Sequence, residues 1–131
     1  MRQKSEKKRE VKLDTAKKNK TKIPIKSDNS GIRKQYLKSN GSCKVTFRLP
    51  KEAAQGARSV TIAGDFNNWN IKKTPLKRLK NGEFKLIMEL PRNKEYRFKY
   101  LIDSKHWEND WHADKYVPNS FGNDDSVVVV Q

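Results

Sequence analysis

The placement that packing explains least is tryptophan among asparagines and acids. Trp69 closes the run Asp65-Phe66-Asn67-Asn68-Trp69, and Trp107 and Trp111 stand in the segment His106 to Asp114, which reads HWENDWHAD. An indole in such a loop offers a flat apolar face surrounded by hydrogen-bonding groups, which suits a ligand with one apolar and several hydroxylated faces. Pyranose sugars have that character, because their axial C–H groups stack on an indole while amides, lysines and carboxylates bond the hydroxyls. Nucleobases also present a flat face. The plainer reading folds each tryptophan over one end of the domain, with its N–H bonded to a nearby loop group.

Other chemistry is less well served by these residues. A glycosidase needs two carboxyls facing each other across a bond, whereas Glu108, Asp110 and Asp114 cluster in one short segment and read as solvated loop residues. His106 and His112, with Asp110 and Asp114, do not match a compact zinc motif. There is no phosphate-binding glycine loop, no Gly-x-Ser-x-Gly elbow and no His-Glu-x-x-His. The sequence thus assigns no catalytic, cofactor-binding or metal-ligating residue, and an enzyme is not expected.

The elements that must hold these loops read as short strands. Val45, Phe47 and Leu49 alternate with Lys44, Thr46 and Arg48 until Pro50, and Val60 and Ile62 share one face of the run Arg58 to Gly64. Pro75 to Leu79 reads as a short edge strand, and Asn81-Gly82 signals a two-residue hairpin. Phe84, Leu86, Met88 and Leu90 alternate next, and Pro91 to Lys94 turns the chain. In Glu95 to Asp103, the residues Tyr96, Phe98, Tyr100 and Ile102 form one face; with that face in the core, Lys99 points outward. The segment Ser104 to Asn123 meanders before a final β-branched strand over Ser126 to Val130. About seven such strands in the space of some 90 residues predict an all-β, immunoglobulin-like sandwich.

Charge divides the chain in two. Of 131 residues, 30 are Lys or Arg and 15 are Asp or Glu, and residues 1–40 alone hold 14 cations and 4 acids. That segment has one aromatic residue, Tyr36, and no sustained period, so it buries too little surface to offset its ordering entropy. It is expected to be a disordered basic arm, with residues 41–131 forming the sandwich. Runs such as KKRE and KKNKTK would neutralise phosphates on nucleic acid or an anionic surface, or serve simply as a solubilising tether. A third reading makes the sandwich a docking module for a partner protein. The longest apolar run is Val127 to Val130, too short for a membrane span, and no apolar stretch follows the basic start as a secretory signal requires. A cytoplasmic chain is expected, with the lone Cys43 a small hydrophobe.

At SVTIAGDFNNWN, EYRFKYLID and FGNDDSVVVV the chain resembles carbohydrate-binding module family 48. That family includes the early-set sandwich of isoamylases and glycogen-branching enzymes and the glycogen-binding domain of the AMP-activated protein kinase beta subunit. The resemblance covers Ser42 to Gln131 and is nearest to small bacterial proteins in which the module stands alone. It implies non-catalytic binding of α-1,4-linked glucans such as glycogen, starch or maltodextrin and, on the docking reading, a kinase or glucan-metabolising enzyme as the partner. It also implies that Trp69 and Trp107 are the stacking tryptophans and Lys99 the sugar-contacting lysine. Phe121 falls where the kinase-type domain has a leucine pressed into the sugar helix. Asn123 and Asp125 fall at its polar contact positions, where that domain has threonine and then asparagine. Trp111 has no counterpart.

Overall fold

The computed structural model describes residues 32–38 and 41–131, within the compact unit Ile32–Gln131. It is an all-β sandwich of two antiparallel sheets, as the alternation predicts. In chain order the strands are β1 (Arg33–Tyr36), β2 (Ser42–Leu49), β3 (Val60–Gly64), β4 (Lys77–Arg78), β5 (Phe84–Pro91), β6 (Lys94–Ile102), β7 (His106–Glu108), β8 (Lys115–Pro118) and β9 (Asp124–Val130). One sheet has the order β1-β2-β5-β4; the other has the order β3-β6-β9-β8, with β7 also paired to β6.

The core lies between the sheets and follows the period of two. Val45, Phe47 and Leu49 enter it from β2, Val60 and Ile62 from β3, and Tyr96, Phe98, Tyr100 and Ile102 from β6. Cys43 is fully buried among them, and burial raises its thiol pKa. Phe98 packs edge-on against both Phe47 and Tyr100, with ring centroids 5.0 and 5.7 Å apart. Fully burying side chains of this size contributes roughly 1.5–3 kcal/mol each, so Phe47 of β2 and the aromatic residues of β6 anchor the sandwich. β5 contributes less than its pattern suggests: Phe84 and Leu90 are buried, whereas Leu86 and Met88 only flank the core.

Several connections differ from their sequence reading. After Pro50 the chain makes one helical turn, α1 (Lys51–Ala54), which buries Ala53 and Ala54. The β4–β5 connection is a three-residue loop rather than a two-residue hairpin, because Leu79 N–H bonds the Glu83 carbonyl (2.7 Å) and Gly82 takes a φ of 92°. Within the Ser104–Asn123 meander, β7 and β8 form as short strands.

The division drawn after residue 40 also needs adjustment. Arg33–Tyr36, assigned by composition to the arm, form β1 and pair with β2 from Thr46 to Cys43. This strand also ties the two sheets together: Lys34 Nζ bonds Asp114 Oδ2 (2.7 Å), Gln131 N–H reaches Tyr36 Oη (3.3 Å), and Arg92 lies 4.8 Å from the Tyr36 ring centre. The remainder of the proposed arm, residues 1–31 with 39 and 40, lies outside the described residues. Among the described residues, no helix is long and apolar enough to cross a membrane.

Candidate carbohydrate-binding site

The outer face of the five-stranded sheet is built from β6. Inward Phe98 and Tyr100 leave Arg97 and Lys99 on the opposite side, as the alternation requires. β7 adds Trp107 to that outer face. Asp103 and Ser104 both take left-handed conformations (φ 51° and 58°) in the tight turn after β6, and the register sets Trp107 opposite Leu101. A slip of one residue would turn the indole to the other face. Trp107 is 48% exposed, and its indole N–H has no hydrogen-bond partner among the described residues.

Trp69 arrives by a different route. β3 ends at Gly64, where an added Cβ would lie 2.4 Å from the Arg97 carbonyl, so only glycine allows β6 so close. A turn of 3-10 helix follows, Asp65–Asn67. Asn67 is buried and holds the turn: Gly64 N–H donates to its Oδ1 (3.0 Å), while its Nδ2 donates to the Ile62 carbonyl and to Thr74 Oγ1 (both 3.0 Å). Asn68 and Trp69 then adopt consecutive left-handed conformations, φ 56° and 57°. Strain of that kind, of order 1–3 kcal/mol per residue, persists where surrounding contacts dictate it. Here those contacts are the Trp69 N–H bond to the Gly64 carbonyl (2.9 Å) and the indole N–H bond to Asp65 Oδ1 (3.1 Å). The second oxygen of Asp65 accepts the Arg97 N–H (2.8 Å), which continues the ladder where β3 has stopped.

The third wall is the turn between β8 and β9. Asn119 organises it: its Oδ1 accepts the N–H groups of Phe121 (2.9 Å) and Asn123 (3.3 Å), and its Nδ2 donates to Asn123 Oδ1 (2.6 Å) and Asp125 Oδ1 (2.9 Å). With Gly122 at φ 87°, the turn leaves Phe121 87% exposed. Lys99 Nζ donates to Asn123 Oδ1 and the Asp124 carbonyl (both 3.0 Å), and Arg97 Nη1 stands 3.7 Å from Asp125 Oδ2. Asp125 itself is only 6% exposed.

Together these pieces line an open groove of about 820 Å³. All six residues singled out from the sequence (Trp69, Lys99, Trp107, Phe121, Asn123 and Asp125) border it. Asp65, Arg97 and Asn119 border it too and escaped the sequence reading. Strand parity does place Arg97 beside Lys99, but Asp65 and Asn119 look like any loop residue until their partners are known. The carboxylates of Asp65 and Asp125 balance the cations of Arg97 and Lys99 within the groove. Trp111 stands outside it, with its N–H on Glu108 Oε2 (3.2 Å).

One assignment in the neighbouring loop needs correction. Asp110 is not a solvated loop acid but is 5% exposed, accepting Tyr100 Oη–H (2.7 Å) and the His112 N–H (2.8 Å). Its own N–H donates to Ser126 Oγ (2.8 Å), which fixes the loop onto the interior of the sandwich. Burial raises its carboxyl pKa, and burial beside that carboxylate holds the Tyr100 hydroxyl well above its ordinary value.

An open groove with two partly exposed indoles, set among paired polar side chains on the face of a β-sandwich, suits a carbohydrate-binding module. Residues 52–131 match the family described as the glycogen recognition site of AMP-activated protein kinase, and the chain belongs to that family of non-catalytic modules. No curated protein matches the chain.

Proposed function

We propose that the groove binds α-1,4-linked glucan, the chemistry of glycogen, starch and maltodextrin, with Trp69 and Trp107 stacking on glucose rings. The observation that carries this reading is the convergence of the two indoles, one from the bend after β3 and one from strand β7, on one groove of balanced charge. Lys99 and Asn123 offer polar atoms to hydroxyls, and Phe121 adds an apolar edge. Asp125 acts from beneath, holding Asn119 and Arg97 rather than reaching the sugar. Glu108, Asp110 and Asp114 are not among the residues that line the groove. A cytoplasmic setting belongs to the same reading.

The groove is open to solvent, so association entropy leaves modest affinity from few contacts. The test is a titration of isotope-labelled protein with maltoheptaose, following the three indole N–H signals by NMR, with cellohexaose as control. Saturable shifts of Trp69 and Trp107 with the α-linked sugar are expected, and Trp111 should stay still. Trp69→Ala should weaken binding roughly tenfold, the order expected from losing one aromatic stack and its buried area. Equal response to cellohexaose, or unchanged affinity in Trp69→Ala, would overturn the assignment.

A further inference from the structure

On the far side of the sandwich, the outer face of the β1-β2-β5-β4 sheet carries a row of cations. The register sets Arg48 of β2 directly opposite Lys85 of β5, and Lys85 directly opposite Lys77 of β4. Two residues further along β2 lies Thr46, opposite Arg33, and beyond it Lys44, opposite Glu89. Like charges facing each other across strands destabilise a sheet, and here two successive pairs do so. Arg48 is bridged to Glu83; among the described residues, neither Lys77 nor Lys85 has an ion pair.

Strand spacing of about 4.8 Å packs the three cations of the row into roughly 10 Å. Such density suits a polyanion of comparable charge spacing, and duplex nucleic acid carries one charge per ~1.7 Å of its axis. A protein partner fits poorly, because interface cores are depleted in lysine and anchored by large apolar side chains. Ile87 is the one large apolar side chain exposed on these strands' outer face among the described residues. We propose that this face is a second binding site, which takes the phosphodiester backbone of nucleic acid without reading its bases and leaves the groove open on the opposite side.

The experiment measures binding of the full chain to a fluorescent duplex of about 20 base pairs, by anisotropy, between about 50 and 200 mM salt. Lys77→Gln/Lys85→Gln should bind on the order of tenfold more weakly at the low-salt end. Its log K against log salt should be less steep by about 1.8, the counterions of two phosphates. The charge-matched control Lys72→Gln/Lys73→Gln, in an exposed turn on neither the row nor the groove, should leave the slope unchanged. Removing the facing lysines should leave the melting temperature at or above that of the parent, so weaker binding would not reflect unfolding. Equal losses in both double variants, no loss in either, or tighter binding to phosphatidylserine vesicles than to the duplex would each overturn the proposal.

Discussion

Asp65 shows how one side chain in this groove serves both binding and folding. Its Oδ1 fixes the Trp69 indole and its Oδ2 takes the Arg97 N–H, an edge amide that β3 no longer reaches. Removing the carboxylate leaves both indole and amide to water. Because the site is exposed, the stability lost in Asp65→Ala should be only about 1 kcal/mol. The larger effect falls on binding, since an indole free to rotate must be ordered again by the ligand, at roughly 0.5–1.5 kcal/mol. Maltoheptaose affinity should therefore drop several-fold while Trp69 is still present, which calorimetric titration can read. Undiminished affinity would mean that the indole is positioned by its left-handed backbone alone.

The groove depends on how strands end more than on the strands themselves. The β8–β9 turn is held by four hydrogen bonds of the Asn119 side chain, and it presents both Phe121 and Asn123. Asn119→Ala should release this wall, reducing stability by about 1–2 kcal/mol and maltoheptaose affinity several-fold, as denaturation and titration would report. Full affinity in that variant would exclude the turn from the site. Strands whose two faces differ were legible in the sequence: Val45, Phe47 and Leu49 announce β2, and the parity of Phe98 and Tyr100 places Lys99 outside. β1 was not, because its four residues Arg33–Tyr36 bury neither face fully and so carry no alternation. Asp65 was hidden because its partner Arg97 is distant in sequence, and Asn119 because its bonds to Phe121, Asn123 and Asp125 exist only once the turn has folded. Trp69 and Trp107 stood out because indoles are rare in polar loops, yet so did Trp111, which lies outside the groove. Residue type alone did not separate them; the register of β7 and the bend after β3 do.

At the scale of the whole molecule, the stability of the sandwich is linked to pH through the acid that joins its loops to its interior. Burial raises the Asp110 pKa above its ordinary 3.8, so the folded protein holds that proton more tightly than the unfolded chain. The favourable contribution of the protonated form is complete below the unfolded value and declines as pH rises through the folded one. Glu83 works in the opposite sense: its hydrogen bond from Arg48 lowers its pKa, giving a contribution that is lost as pH falls. Total stability sums such opposing groups, so Asp110 must be isolated by comparison with Asp110→Asn. In that variant the amide oxygen can accept the His112 N–H while its NH₂ donates to Tyr100 Oη, and nothing there titrates in the acid range. Urea denaturation of both proteins from about pH 4 to 8 should show the parent losing stability relative to Asp110→Asn as pH rises from near the ordinary carboxylate value, then levelling off once Asp110 is ionised in both states. A difference that is flat, or that grows in favour of the parent with rising pH, would mean that the hydrogen bonds from Tyr100 and His112 outweigh the desolvation of the carboxylate. Asp110 would then be an ordinary ionised acid of the folded state.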